Sequence, residues 1–250
     1  MSGHSKWHSI KHQKGVADAR RGQLFTKLTR EIIVVAREGG GNPEMNFRLR
    51  LAVQKARDAN MPMDNIDRAI KKGTGELEGG SLSEVILEGY GPNGTAILVN
   101  ALSDNRNRTI QEVRSVFTRH GSSLGESGCV AWLFDSKGVI IIKADNIDAD
   151  ELALSAIDAG AEDVKVENGY VEVYTIPEDL EKVRAALEEN KVTISSSELL
   201  MVPKTMVQLD EKAAMQALKM MEKLEDIDDV QNVFSNADIP DSVVEEYQAQ

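Results

Sequence analysis

The sequence predicts a multi-domain α+β protein: an N-terminal helical bundle and two ferredoxin-like α+β domains, one inserted in the other. Three observations carry this. Apolar residues recur with a helical period as far as about residue 72, and with strand-like alternation after about residue 84. Residues 138–202 read β-α-β-β-α-β, and strands and helices in a similar order flank them on both sides. Charge divides at the same place, with 15 Lys and Arg against 7 Asp and Glu in residues 1–72 and 14 against 34 in residues 73–250. The expected division is a basic arm and three-helix bundle over 1–76, a discontinuous α+β domain over 80–127 and 205–240, and an inserted ferredoxin-like domain over 128–204.

Residues 1–15 show no apolar periodicity and are expected to form an arm that orders on binding. From about Val16 to Glu38 a helix is predicted, with Leu24, Leu28, Ile32 and Val35 on one stripe and Arg20, Lys27, Arg30 and Arg37 on another face. Gly39-Gly40-Gly41 stops it. A second helix is predicted from near Pro43 to Ala59, ended by Asn60-Met61-Pro62, and a third from Asp64 to Lys72. Gly73–Ser81 reads as an acidic, Gly-rich linker. A phosphate loop does not fit it, because Ser81 stands where the lysine is needed.

Strands are expected at Glu84–Tyr90 and Thr95–Leu102 around the turn Gly91-Pro92-Asn93-Gly94, then a helix from Asn107 to His120. Further strands are predicted at Cys129–Phe134 and Val139–Ile142. Asp148 with Glu151 resembles a capping box. Strands at Asp163–Glu167 and Tyr170–Ile176 should meet at Asn168-Gly169. Pro177 opens a helix at its first position, and Val192–Val202 is extended. After the insert a strand is expected at 205–209, a helix at 211–224 capped by Asp210, and a strand at 229–235. The acidic end from Ala237 reads as loosely held.

The 250 residues are 41% hydrophobic and 28% charged, with a net charge of −12, which is the composition of a soluble globular protein. No apolar run is long enough to span a bilayer and no signal core opens the chain, so a cytoplasmic location and no membrane partner are expected. Cys129, the single cysteine, excludes an internal disulfide and reads as an inert strand residue. No nucleophile elbow, HExxH pair or paired cysteines occur, so no enzyme activity, cofactor or metal is expected.

The first 37 residues carry eight Lys and Arg against two acids, on an anionic body. A polyanionic partner explains such an arm. The candidate nucleic-acid contacts are His4, Lys6, Trp7, His8, Lys11, His12, Lys14, Arg20, Arg21, Lys27 and Arg30. The histidines recur every four residues, but no Cys, Asp or Glu completes a zinc set and cations lie between them. Trp7, between Lys6 and His8, can stack on a base. A second patch is expected at Arg106, Arg108, Arg114 and Arg119, where Ser103–Thr109 joins a strand to a helix. Its alternative is helix capping with Arg–carboxylate pairing. The acidic run Glu225–Asp229 reads as a solvated turn.

Several stretches together resemble the YebC/PmpR family: GHSKW at Gly3–Trp7, IKHQK at Ile10–Lys14, DARRGQLFTKLTREI at Asp18–Ile32 and NMPMDNIDRAIKKGTG at Asn60–Gly75. They continue with EGYGPNG at Glu88–Gly94, SDNRNRT at Ser103–Thr109, EVRSVFTRHG at Glu112–Gly121 and GCVAWLF at Gly128–Phe134. Phe47 departs from the pattern, which has Pro there. The resemblance implies a three-domain, non-enzymatic regulator of gene expression. It carries a label as a DNA-binding transcriptional regulator, and similar proteins act in translation, associating with ribosomes at proline-rich stretches. The arm's mixture of cations, an aromatic and glycines favours RNA or the ribosome. Duplex DNA is the alternative, weakened by the lack of a clear recognition helix or dimer seam. A monomer is therefore expected.

Overall fold

The computed structural model describes residues 18–78, 81–143, 148–167, 169–189 and 192–248. Among the described residues no helix is long and apolar enough to cross a membrane. Contacts divide the chain into two compact units, Leu133–Lys204 and the remainder on either side of it.

The larger unit begins with α1 (Asp18–Gly39), α2 (Phe47–Asp58) and α3 (Met63–Gly73). Leu28, Ile32 and Val35 of α1 bury against Leu49, Val53 and Ala56 of α2 and Ile66 and Ala69 of α3. α2 starts later than expected, and Asn46 explains why. Its side chain accepts from Leu49 N at 3.1 Å, capping α2, and donates to Val35 O and Gly40 O at 2.8 Å each, closing the end of α1. Phe47 is thus the first helical position, where proline is also at home.

The same unit contains β1 (Ser83–Tyr90), β2 (Ala96–Ser103), α4 (Arg106–Arg119) and β3 (Ser123–Leu124). After the inserted unit come β8 (Val207–Gln208), α7 (Glu211–Glu225), β9 (Val230–Ser235), β10 (Ala237–Asp238) and α8 (Asp241–Gln248). The main sheet is antiparallel, in the order β3-β1-β2-β9. Val85, Leu87, Ile97, Val99 and Val233 from the sheet share one core with Val113 and Phe117 of α4 and Leu218 and Met221 of α7.

Three expectations are corrected here. Residues 129–133 form a loop and a 3-10 turn (Ala131–Leu133), and only Phe134 of the expected segment is in a strand, because the N–H groups of Val130 and Ala131 bond a side chain instead of a ladder. The strand expected at 205–209 shrinks to two residues, which pair in parallel with β10 outside the main sheet. The chain end is not loose: Ile239, Val243 and Tyr247 are buried, and the Tyr247 hydroxyl donates to Glu222 at 2.6 Å.

The inserted unit holds β4 (Phe134–Lys143), α5 (Ala149–Ala159), β5 (Asp163–Glu167), β6 (Tyr170–Thr175), α6 (Leu180–Glu189) and β7 (Ile194–Pro203). Its sheet is antiparallel in the order β5-β6-β4-β7, the ferredoxin-like arrangement. Asp148 caps α5, accepting from Asp150 N and Glu151 N. Pro177 opens a 3-10 turn that leads into α6, rather than the helix itself. Gly138 lets α6 approach the sheet, since an added Cβ would lie 2.9 Å from Leu180. In the β5–β6 hairpin Glu167 pairs with Tyr170 and Gly169 has φ +79°, while Asn168 lies outside the described residues.

Candidate nucleic-acid interface

The arm residues His4, Lys6, Trp7, His8, Lys11, His12 and Lys14 lie outside the described residues, as does the Arg20 side chain. The described part of the basic region is α1. Gln23, Lys27 and Arg30 are spaced i, i+4, i+7, which places them on one row away from the apolar stripe. That row meets the turn at the C-terminus of α7. Gln23 Nε2 donates to Asp226 O at 2.7 Å and Asp228 Oδ1 at 3.2 Å. Lys27 Nζ donates to Glu225 O at 2.5 Å, and Arg30 Nη1 donates to Asp228 O at 2.7 Å and Asp229 Oδ1 at 2.6 Å. The last carbonyls of a helix lack intrahelical donors and carry the negative end of its dipole, so cations from a second helix suit them.

The β2–α4 junction reaches the same acid. Asn105 Oδ1 caps α4, accepting from Arg108 N at 3.2 Å. Ser103 Oγ, Thr109 Oγ1 and Arg108 Nη2 donate to Asp229 Oδ2 at 3.1, 2.6 and 2.7 Å. Arg108 also pairs with Asp104 at 2.8 Å. Asp229 is only 2% exposed, so the expectation of a solvated acidic turn fails at this residue. Burial pushes its pKa up, but the bonds from Thr109 and Arg108, the charge of Arg30 and the bond from Ser103 outweigh it and hold the carboxyl below its ordinary range.

Of the second patch, Arg108 pairs with the carboxylates of Asp104 and Asp229 in its own chain. Arg106, Arg114 and Arg119 are exposed and have no ion pair among the described residues. Arg21 is exposed on α1. His120, the one histidine beyond the arm, lies with Nδ1 2.9 Å from Val116 O. No cluster of three or more potential metal ligands occurs among the described residues.

A second buried acid was not foreseen. Glu88 of β1 is 4% exposed, and its carboxylate accepts from Gly128 N at 2.6 Å, Val130 N at 2.8 Å and Ala131 N at 2.7 Å. Burial pushes its pKa up, and these three backbone bonds outweigh it, leaving a lowered value. The same loop places Cys129 O to accept from Tyr90 Oη at 3.2 Å and Trp132 Nε1 at 3.1 Å. Burial and the nearby Glu88 push the Cys129 thiol up, so it stays protonated, in a loop rather than the expected strand. An acid directly after the apolar run Val85–Leu87 of β1, with a Gly-rich stretch later in the chain, was the available signal.

Fold and charge thus define a class: a multi-domain α+β protein with a cationic N-terminal segment and an acidic body. Two family models match, the TACO1/YebC protein N-terminal domain over residues 5–76 and the TACO1/YebC second and third domain over residues 82–237. The chain belongs to this family. A relative from Dehalococcoides mccartyi strain BAV1, named a probable transcriptional regulatory protein, is 61% identical over 250 residues, the whole of both chains. One of the same name from Natranaerobius thermophilus is 56% identical over 248 residues, covering 98% of this chain and 99% of its own. The crystal structure of a conserved hypothetical protein from Aquifex aeolicus aligns with TM-score 0.84 at 51% identity, covering 92% of this chain and 96% of that one. The relatives' names support a regulatory role.

Proposed function

We propose that this chain is a non-enzymatic, cytoplasmic, monomeric nucleic-acid-binding regulator of gene expression, an RNA- or ribosome-bound translation factor that assists synthesis at difficult, proline-rich stretches. Its working parts are a basic arm and bundle over 1–76, a split domain over 80–127 and 205–240, and an insert over 128–204. The observation that carries this is where the cations go. Lys27 and Arg30 are engaged by the 225–229 turn, so α1 does not offer them to a DNA groove. The other cations of the N-terminal region that the sequence singles out include Lys6, Lys11 and Lys14 of the arm, beside Trp7, and Arg106, Arg114 and Arg119 are exposed without an ion pair among the described residues. An arm that mixes cations with an aromatic and glycines suits irregular RNA, whose bases can be stacked and phosphates met from several sides. The relatives' names favour a second reading, duplex DNA at promoters.

One comparison separates the two. Lys6→Ala, Lys11→Ala and Lys14→Ala together, and Trp7→Ala separately, are tested in a purified translation system programmed with ready-made mRNA. The RNA reading expects both variants to leave ribosomes in a gradient and to slow a proline-rich reporter. If wild type and variants translate every message equally while the variants lose promoter DNA, the DNA reading replaces it.

A further inference from the structure

We infer that the exposed crest of α7, formed by Lys212, Gln216, Lys219 and Lys223, is a further phosphate-binding surface for single-stranded RNA. This inference rests on the nucleic-acid reading above. The spacing i, i+4, i+7, i+11 puts the four on one row of the helix, and all four are exposed. The opposite faces carry Ala213, Ala214, Ala217, Leu218, Met220, Met221 and Leu224 into the core.

Acids are sparse at the helical neighbours of this row. A solvated helix in an acidic body ordinarily interleaves Glu and Lys at i, i+4. Here the residues three and four positions from Lys212 and Lys219 include one acid, Glu222, and it accepts the Tyr247 hydroxyl. Lys212 and Lys219 have no ion pair among the described residues. Residues 73–250 hold 34 Asp and Glu against 14 Lys and Arg, so Lys212 and Lys219, on one row, stand against the local field, while Lys223 at the end of the row pairs with Asp226 at 2.9 Å. Lysine supplies point charges without a fixed fork, which suits contact with a backbone rather than reading of bases.

Position supports the same conclusion. Asp226 accepts Gln23 on its carbonyl at 2.7 Å and Lys223 on its carboxylate at 2.9 Å. The second turn of α1, which the arm precedes in sequence, therefore meets α7 at the end where the lysine row stops. The row is about 16 Å long at 1.5 Å per residue, enough for several phosphates.

The test uses the full-length chain with Lys212→Gln and Lys219→Gln together, which keeps side-chain length and helix propensity. Affinity for a single-stranded RNA oligonucleotide is measured as salt is varied. Loss of two contacts should shallow the logarithmic salt slope by about 1.4. Lys212→Arg with Lys219→Arg should restore it, which separates charge from folding. An unchanged slope and affinity in the Gln variant, while the arm variant loses binding, would overturn the α7 surface and leave the functional reading standing. A shallower slope on duplex DNA alone would overturn the single-stranded assignment. Failure of the wild type to bind either nucleic acid would overturn the functional reading itself, and with it this inference.

Discussion

Asp229 and Glu88 are both buried carboxylates of the larger unit, and they are held in different ways. Asp229 is met by side chains from three elements: Arg30 on α1, Ser103 at the end of β2, and Arg108 and Thr109 on α4. Glu88 is met by backbone amides of one loop. A carboxylate held by side chains ties separate elements together and fails when any partner is changed. One held by amides shapes a loop, and substitution of loop side chains leaves its donors in place. The first works as a joint between bundle and sheet, the second as a clasp on one segment.

The largest expected effect is at the joint. Asp229→Ala leaves Arg30 beside a vacated, buried site and should cost about 3–5 kcal/mol in chemical denaturation. A cost near zero would mean that water replaces the carboxylate and that the joint is cosmetic. Next is the clasp. Glu88→Gln turns one acceptor oxygen into a donor facing an amide donor, which should cost about 1–3 kcal/mol. Amide exchange should then speed up at Gly128–Ala131 and not at α1. The reverse pattern would erase the distinction between the two acids. A double-mutant cycle of Arg30→Ala with Asp229→Ala should give a coupling of about 0.5–3 kcal/mol, against none for Arg30→Ala with Glu88→Gln.

The legible part of this molecule followed periodicity. The apolar stripes of α1 to α4, the ferredoxin-like insert and the Asp210-capped α7 depend on local spacing, which a chain displays openly. What the sequence hid depends on long-range partners. Asp229 closes a run of acids that looks solvated, and nothing nearby reveals Arg30 199 positions away. Glu88 diverts the amides of 128–131, so an apolar segment that resembles a strand becomes a loop. Of the candidate site, the pairing of Arg108 with a carboxylate was legible as an alternative, whereas the fate of Lys27 and Arg30 required the turn at the end of α7.

The smallest expected effect is on pH. Both acids have lowered native pKa values. The unfolded chain therefore takes up protons first as pH falls, so their contribution is present above the unfolded value of about 4 and is lost as pH drops through the native one. Below that range the gap between wild type and Asp229→Asn should narrow. A gap that is constant down to pH 2 would show that the charge on Asp229 contributes nothing beyond its hydrogen-bond geometry.

The insert begins and ends at one point: Lys204 N donates to Leu133 O at 2.8 Å, and Phe134 pairs with Pro203. During synthesis this becomes a matter of timing. The neighbour of β2 in the main sheet, β9, emerges roughly 6–25 s after β2 at 5–20 residues per second. Through that interval β2 keeps an open edge. An insert that folds first gathers its two ends to hydrogen-bond distance and shortens the loop that the split domain must close. Logarithmic loop entropy puts that gain at roughly 0.7 kcal/mol. The order of translation and the placing of the insert thus favour one sequence of events, in which the guest domain folds before its host is complete.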